Sequence, residues 1–253
     1  MRPFSRLFEK SKCFVAYITA GHRGLEFTEQ AALSLVAGGV DILEIGVPFS
    51  DPIADGPVIQ RAMTDALTYS VNIHSVLTTI TRIKAISQVP IVLFTYFNPL
   101  LKANIKDFLP KAKQAGVDGM LVVDLPIEES ALYFEQCREN NIHPICLISP
   151  STAAHRVREI SKQSNAFIYY VCRHGITGVK SDLPHNYDKT IAKIKSLINC
   201  PVVSGFGIGN RMLARQALIS ADGFVVGSAF VEAITHGASP DDLQNLATEI
   251  DPR

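Results

Sequence analysis

The sequence has no run of basic residues and no excess of charge of either sign. Its 253 residues carry 24 basic and 24 acidic side chains, and the basic ones are scattered. Because nucleic acids are bound by clustered Lys and Arg that neutralise phosphates, we expect no nucleic-acid partner. An anionic ligand would have to be held by local geometry and not by a general positive field.

Long apolar runs and targeting signals are also missing. No stretch approaches about 18 uncharged apolar residues, so we expect no membrane-spanning helix. The first ten residues lack the apolar core of a signal peptide. The cysteines are odd in number, widely separated and never form a Cys-x-x-Cys pair, which indicates free thiols in a reducing cytoplasm. They are Cys13, Cys137, Cys146, Cys172 and Cys200. We therefore predict a cytoplasmic protein.

Three common catalytic signatures are absent as well. The seven histidines show neither metal-ligand spacing nor a Glu-x-x-His pattern, so no metal site is predicted. No Gly-x-Ser-x-Gly nucleophile elbow occurs. No lysine lies in the middle of a predicted strand, which disfavours a Schiff-base aldolase. The chemistry must come from other groups.

What the sequence does contain is a regular alternation of apolar runs and helical patterns. Eight runs are nearly continuously apolar, as strands of a helix-covered parallel sheet are. Helical spacing of apolar residues lies between them, for example at 27–37, 130–139 and 212–219, and a short extra helix is predicted at 4–9. The predicted strands are 14–19, 42–47, 91–96, 119–124, 143–148, 167–172, 202–205 and 223–227.

Eight such units in about 250 residues predict an α/β fold, a single (β/α)8 TIM barrel formed by residues 1–253 as one domain. An open, doubly wound sheet is the structural alternative. The spacing between strand starts is longest after the second and sixth strands, and long βα loops are usually functional. Because active sites of these barrels lie at the C-terminal strand ends, we expect the site near those two loops.

A motif recurs before three strands. Residues 37–41 read Ala-Gly-Gly-Val-Asp, residues 115–118 read Ala-Gly-Val-Asp, and residues 220–222 read Ser-Ala-Asp. Glycine suits the left-handed end of a helix, and the acid marks the turn into the strand. The repetition supports a barrel built from similar units.

The most unusual residue is a carboxylate inside the second predicted strand. Alternation along the strand puts Glu44 on the same face as Ile42 and Gly46. An isolated ionised carboxylate among apolar neighbours is unfavourable, so Glu44 either has a partner or has a raised pKa. Gly46 is predicted to leave space beside it for a substrate. We interpret Glu44 as a general acid/base, with a structural ion pair as the alternative.

The loop after this strand carries two further acids. Asp55 stands in Ala-Asp-Gly-Pro, where turn chemistry is the alternative explanation, and Asp51 in Ser-Asp-Pro fits that alternative better. Two carboxylates in different surroundings, one on a buried strand and one on a loop, can divide the work of acid and base. The predicted catalytic pair is therefore Glu44 and Asp55.

Glycine-rich segments follow the last three predicted strands. Gly175-Ile-Thr-Gly178 follows the sixth, a Gly-Phe-Gly-Ile-Gly segment begins at Gly205, and Gly-Ser-Ala begins at Gly227. Each segment alone is explained by a tight turn. At neighbouring strand ends of one barrel, they together predict a phosphate site made of backbone N–H groups at helix N-termini.

With these motifs assembled, the chain resembles the α subunit of tryptophan synthase over nearly its full length. Residues 43–62, Leu-Glu-Ile-Gly-Val-Pro-Phe-Ser-Asp-Pro-Ile-Ala-Asp-Gly-Pro-Val-Ile-Gln-Arg-Ala, match that family's signature. Agreement extends to 17–21, 95–98, 123–126, 175–178, 205–208 and 227–229. The resemblance implies a retro-aldol lyase that cleaves indole-3-glycerol phosphate into indole and glyceraldehyde 3-phosphate, with no metal or cofactor in this chain.

The resemblance also implies roles for individual residues. Glu44 corresponds to the catalytic acid/base, and Asp55 to the carboxylate that assists at the indole nitrogen. Tyr169 matches an active-site tyrosine that contacts the catalytic glutamate. The other implied substrate-binding residues are Thr177, Gly178, Phe206, Gly207, Gly227 and Ser228. The chain departs from the family pattern at His22, where an acid is common, and at Cys172 and His174.

A partner is implied in the same way. The family's α subunit works with a β subunit that carries pyridoxal phosphate and receives the indole, in an α-β-β-α heterotetramer. Segments 48–57 and 96–101 are the candidate docking surfaces. Two other hypotheses stay open: a different phosphate-binding barrel enzyme, such as an isomerase or a stand-alone indole-releasing lyase, and a non-catalytic regulatory partner. The presence of both Glu44 and Asp55 disfavours the last.

Overall fold

The computed structural model describes residues 4–172, 182–205 and 207–253. Within these residues, nine parallel strands form one sheet in the order β5-β4-β3-β2-β1-β9-β8-β7-β6. The predicted strand limits agree with the observed ones to within two residues. The strands are β1 (Cys13–Thr19), β2 (Ile42–Gly46), β3 (Ile91–Thr95), β4 (Gly119–Val122), β5 (His143–Pro144), β6 (Cys146–Ile148), β7 (Ile168–Val171), β8 (Val202–Gly205) and β9 (Gly223–Val226).

The fifth predicted strand is divided in two, and this division closes the barrel. β5 pairs with β4, whereas β6 pairs with β7, and Ile145 alone stands between the two short strands. Because both ends of the sheet are halves of one chain segment, the sheet closes on itself. The predicted (β/α)8 barrel is therefore confirmed, and the doubly wound alternative, which requires an open sheet, is wrong.

Helices cover the outside of the barrel, and the predicted extra helix precedes β1. The long segment after β2 is not one long loop as predicted, because two helices occupy most of it. Among the described residues, no helix combines the length and the apolar character needed to cross a bilayer. The helices are α1 (Ser5–Lys10), α2 (Leu25–Ala37), α3 (Pro57–Thr68), α4 (Ile73–Ile86), α5 (Phe97–Lys102), α6 (Ile105–Ala115), α7 (Ala131–Glu139), α8 (Ala154–Gln163), α9 (Tyr187–Lys195), α10 (Arg211–Ser220), α11 (Ser228–Thr235) and α12 (Pro240–Ile250).

Alternation along the strands separates two hydrophobic cores. Phe14 and Leu43 belong to the core between sheet and helices, whereas Val15 and Ile42 belong to the core inside the barrel. Phe4, just before α1, packs into the interior core and contacts the ring of Phe167 edge-on, with centroids 5.9 Å apart. The interior is therefore filled at the N-terminal ends of the strands, and the site must lie at the other end.

Two residues closer to the C-terminal ends of the strands, the side chains that face the barrel interior are no longer all apolar. The apolar layer that contains Val15 and Ile42 is followed by one that contains tyrosines, a carboxylate and glycines. Its members include Tyr17, Glu44, Tyr169, Gly205 and Gly227. The strand register aligns Tyr17 with Glu44 on adjacent strands. The barrel thus brings the predicted site residues to one level.

Each repeated motif ends in an aspartate that ties neighbouring strands together. The aspartate precedes one strand and accepts a hydrogen bond from a backbone N–H near the start of the strand before it. The pairs are Asp41 with Phe14 (2.7 Å), Asp118 with Ile91 (3.0 Å) and Asp222 with Val202 (2.9 Å). Each aspartate also pairs with a cation: Arg253, Lys84 and Lys195, respectively. We call these contacts the aspartate clamps.

Candidate active site

Glu44 is enclosed in the barrel interior. Its side chain is 0% exposed, and neither carboxyl oxygen has a hydrogen-bond partner among the described residues. Burial raises the pKa of Glu44 from 4.5 to about 8, because removal from water disfavours the ionised form. At neutral pH this carboxyl group is mainly protonated. The alternative of a structural ion pair has no support in the described part of the chain, where no cation pairs with it.

The space beside Gly46, predicted to admit a substrate, is filled by a tyrosine. A β-carbon at Gly46 would stand 2.3 Å from the Tyr17 hydroxyl oxygen and 2.7 Å from its Cζ, so the prediction is wrong. The missing side chain instead lets the Tyr17 ring reach across from β1. That ring packs edge-on against Phe94, with centroids 5.1 Å apart, and its hydroxyl lies 3.2 Å from Thr19 Oγ1.

Asp55 is buried although it belongs to a loop, with 2% of its surface exposed. The Tyr96 hydroxyl donates a hydrogen bond of 2.7 Å to its Oδ2, and Gln60 Nε2 donates one of 2.9 Å to its backbone oxygen. Burial raises the pKa of Asp55 to about 6, although the Tyr96 hydrogen bond opposes the rise. Asp55 is therefore mainly ionised at neutral pH, whereas Glu44 is mainly protonated, as an acid/base pair requires.

Tyr169 on β7 leans over Gly205 on β8. A β-carbon at Gly205 would stand 2.2 Å from the Tyr169 hydroxyl oxygen. The pKa values of Tyr17 and Tyr169 are both raised well above their ordinary value, first by burial and further by the negative charges of Glu44 and Asp55. Both phenols therefore lie within electrostatic range of both carboxyl groups.

The last two strands end next to backbone suited to an anion. Gly207 has a φ of +65°, in the region that favours glycine. Gly227 directly precedes α11, and Ser228, its first residue, is buried. The N–H groups at a helix start have no intrahelical acceptor and can bind phosphate. Three predicted positions of the phosphate site lie outside the described residues: Thr177, Gly178 and Phe206.

The chain as a whole matches a known family. The family model of the tryptophan synthase alpha chain matches residues 4–251. The chain belongs to the tryptophan synthase alpha chain family. The predicted resemblance is therefore confirmed. In this family the alpha subunit is a lyase of tryptophan biosynthesis that cleaves indole-3-glycerol phosphate and passes the indole to a beta subunit. Family membership thus implies a beta-subunit partner.

Individual relatives of the tryptophan synthase alpha chain family agree over full length. The alpha chain of Coxiella burnetii is 51% identical over 252 residues, which cover 100% of this chain and 98% of that one. The alpha chain of Chlamydia felis is 44% identical over 257 residues, with 100% of both chains covered.

Solved structures of the family share the fold. The alpha subunit of Legionella pneumophila superposes with a TM-score of 0.87 at 32% identity, covering 100% of this chain and 97% of that one. A structure of Mycobacterium tuberculosis tryptophan synthase superposes with a TM-score of 0.91 at 29% identity, and the match covers 98% of this chain and 96% of that one. The barrel described above is therefore the fold of this family.

Two tyrosines that complete the site were not predicted as site residues. Tyr17 fills the space over Gly46, and Tyr96 holds Asp55. A signal for Tyr17 exists in the sequence, because residues two positions apart share one face of a strand, and Tyr17 therefore shares the interior face of β1 with Val15. Tyr96 directly follows an apolar strand at the end where the site was expected, and the sequence indicated it as part of segment 95–98, which agrees with the family, and of docking segment 96–101.

His22, where the chain departs from the family pattern, is buried near the end of α11. Its Nε2 lies 3.4 Å from Thr235 Oγ1. The departure therefore falls beside the helix that starts at Ser228, and not on the acid/base pair. His174 lies outside the described residues.

Proposed function

We propose that this chain is the lyase subunit of a tryptophan synthase, and that Glu44 and Asp55 carry the cleavage of indole-3-glycerol phosphate. The observation that supports the assignment most strongly is the difference between the two carboxyl groups. Glu44 is buried with a pKa of about 8, and Asp55 is hydrogen-bonded with a pKa of about 6. Between these values one group is protonated and the other ionised.

The reaction requires a proton on indole C3, because protonation turns the indole ring into a leaving group. Protonated Glu44 donates this proton. The carbon–carbon bond to the glycerol chain then breaks, and its electron pair returns to the indole ring. The hydroxyl on the adjacent glycerol carbon loses its proton as the aldehyde forms, and the Glu44 carboxylate accepts it. Ionised Asp55 stabilises the positive charge that develops at the indole nitrogen.

The remaining site residues bind and orient the substrate in this proposal. Tyr169, whose ring is confined over Gly205, is the residue proposed to contact Glu44. The phosphate is bound by Gly227 and Ser228 at the start of α11, with Gly207 beside them. Thr177, Gly178 and Phe206 complete that set. Holding the non-reacting phosphate fixes the reacting carbon against the acid/base pair.

The partner in this proposal is a beta subunit that carries pyridoxal phosphate. The two kinds of subunit form an alpha-beta-beta-alpha heterotetramer in the cytoplasm. This chain is a single domain and has no cofactor of its own. Two exposed apolar side chains favour docking of the partner at the predicted segments. Ile53 in segment 48–57 is 80% exposed, and Leu101 in segment 96–101 is 55% exposed. Apolar side chains this exposed near the mouth are candidates for burial against a partner.

An indole-release assay tests the proposal. The purified chain is expected to release indole from indole-3-glycerol phosphate slowly alone and faster with a beta subunit. Glu44→Gln is expected to abolish turnover while substrate binding persists, and Asp55→Asn is expected to lower kcat strongly. Glu249→Gln, on the exposed side of α12, is the matched control and should behave as the wild type.

The outcomes separate the three hypotheses. Indole release that does not respond to a beta subunit would indicate a stand-alone lyase. Absence of turnover under both conditions, with the substrate still bound, would indicate a regulatory partner. Near-normal turnover in Glu44→Gln would show that another group is the acid/base.

A further inference from the structure

Tyr96 joins the end of β3 to the loop that carries Asp55. It is the residue between β3 and α5, and its side chain is 1% exposed. Its hydroxyl donates to Asp55 Oδ2 at 2.7 Å and accepts from the Ala54 backbone N–H at 3.0 Å. The phenol therefore acts both as a donor and as an acceptor, and its two partners are consecutive residues of the same loop.

We propose that Tyr96 is a positioning residue for Asp55, holding its carboxylate at a fixed place in the site. This inference rests on the proposed function, in which Asp55 acts at the indole nitrogen. Tyr96 itself need not contact the substrate. Its hydroxyl would instead determine where the negative charge of Asp55 stands relative to the indole ring.

The Tyr96 ring and the backbone that follows it have further contacts. The Phe49 ring packs against the Tyr96 ring, with centroids 5.0 Å apart. On the next residue, the Phe97 backbone N–H donates to Asp124 Oδ1 at 2.7 Å, which anchors the chain directly after Tyr96. The loop, in contrast, exposes 80% of Ile53 to solvent. The end of β3 therefore holds a carboxylate that belongs to a loop exposed to solvent at Ile53.

The hydrogen bond also bears on the charge state of Asp55. Burial raises the pKa of Asp55, and the Tyr96 hydrogen bond lowers it again because it stabilises the ionised form. Loss of the hydroxyl should therefore make Asp55 harder to ionise. The titratable groups that interact electrostatically with the pair lie on three neighbouring elements: Tyr17 on β1, Tyr169 on β7 and Asp124 after β4.

Tyr96→Phe removes the hydroxyl and keeps the ring. We expect the acidic limb of the pH profile of kcat/KM to move upward by about one pH unit, because the ionised carboxylate loses a hydrogen bond. At neutral pH, kcat is expected to fall about tenfold through misplacement of the carboxylate, with a smaller change in KM. Titration of the Asp55 carboxyl carbon by 13C NMR should show the same upward shift without any substrate.

Tyr133→Phe is the matched control. Tyr133 is also buried, and its hydroxyl donates to the Met120 backbone oxygen at 3.3 Å, away from the acid/base pair. This variant loses a buried tyrosine hydroxyl but should keep the wild-type pH profile. A purely structural role of Tyr96 would make both variants less stable and leave both pH profiles unchanged, and that result would overturn the inference.

A double-variant comparison adds a second test. If Tyr96 acts through Asp55, then Tyr96→Phe should have little further effect on kcat in the Asp55→Asn background. Equal effects in both backgrounds would overturn the inference. If Tyr96→Phe does not fold, 3-fluorotyrosine at position 96 replaces it. Its more acidic hydroxyl is a stronger donor and should move the acidic limb downward, and an unmoved limb would contradict us.

The two proposals can fail separately. If the wild-type chain and its beta-subunit complex release no indole, the proposed function is wrong, whereas the NMR titration of Asp55 still decides whether Tyr96 controls this carboxylate. If indole is released but the Asp55 pKa is the same in wild type and Tyr96→Phe, the lyase assignment stands and the inference about Tyr96 is wrong.

Discussion

The phenol of Tyr169 occupies the volume that a side chain at Gly205 would need. The two residues lie on adjacent strands, and a β-carbon at Gly205 would stand 2.2 Å from the hydroxyl oxygen, 2.3 Å from Cε1 and 2.4 Å from Cζ. Three side-chain atoms at such distances cannot be accommodated by a small rotation. Tyr169 is therefore where it is because residue 205 has no side chain.

Gly205→Ala is expected to displace Tyr169 and to lower kcat/KM about 100-fold, since displacement of a positioning group by about 1 Å has effects of this size. Steady-state kinetics of indole release measure the effect. Gly119→Ala is the control. It introduces a methyl group at the start of β4, where the new β-carbon would stand 3.1 Å from its nearest neighbour, Ile145 Cδ1. Equal losses of activity in both variants would contradict a specific effect on Tyr169.

The pH dependence of kcat/KM is expected to be bell-shaped. Activity should rise as Asp55 loses its proton near its pKa of about 6 and fall as Glu44 loses its proton near about 8. The initial-rate profile between these limits measures both groups in the free enzyme. Asp55→Asn should flatten the acidic limb while leaving the alkaline one in place. An alkaline limb that is absent in the wild type would be inconsistent with protonated Glu44 as the acid.

The stability of the protein is expected to fall with rising pH because of Glu44. From pH 4.5, the ordinary glutamate pKa, to about 8, the unfolded chain has released the proton that the folded chain keeps. The wild type therefore loses stability as pH rises through this window, by about 3 to 5 kcal/mol. The side chain in Glu44→Gln does not titrate. Its free energy of unfolding, measured with urea, should therefore rise relative to that of the wild type as the pH increases to 8. A difference that is constant with pH would refute the buried, protonated state.

Ser228→Ala tests the phosphate end of the site. The substitution removes a hydroxyl at the first residue of α11, where the substrate phosphate is proposed to bind. We expect KM to rise about tenfold with kcat nearly unchanged, because the phosphate does not react and its hydrogen bonds are equal in ground and transition states. Ser239→Ala, at the start of α12, is the matched control. Its hydroxyl accepts from the Asp242 N–H at 3.2 Å, so it should change stability and not KM.

Asp118→Ala tests an aspartate clamp. Asp118 Oδ2 accepts from the Ile91 N–H at 3.0 Å and from Lys84 Nζ at 2.9 Å, and its side chain is only 15% exposed. Its loss leaves a strand N–H without an acceptor and should lower the free energy of unfolding by about 2 to 3 kcal/mol. The value of kcat/KM should not change, because the clamp lies at the N-terminal ends of the strands. Glu128→Gln breaks an exposed pair with Arg156 and should have little effect on stability.

The fold could be predicted closely because its signal is local. Most strands are nearly continuous apolar runs, and the limits of these runs in the sequence agree with the observed strand limits to within two residues. The division of the fifth strand at Ile145 left no such signal, because it depends on which neighbour each half pairs with. The helix pair α3 and α4 was missed for a different reason, since the length of a segment does not show how much of it is helical.

The candidate site could be predicted only in part. Burial of Glu44 follows from its position in an apolar strand, and its raised pKa follows from burial. The contact of Tyr17 with Gly46 depends instead on the alignment of two strands that are distant in sequence. The local sequence around Asp55 is typical of a turn, whereas its hydrogen-bond partner in the structure is Tyr96, which lies 41 residues away. Such contacts are set by register and loop course, which the local pattern does not encode.

The divided fifth strand has a mechanical consequence for the barrel. Its first half is joined to β4 through only two aligned residue pairs, Gly119 with His143 and Met120 with Pro144. The pairing of β1 with β2, in contrast, aligns five residue pairs. The joint between β4 and β5 is therefore the place where the closed ring opens with the fewest broken hydrogen bonds. Amide hydrogen exchange should be fastest there, so thermal fluctuations of the barrel would start on the side opposite to β1.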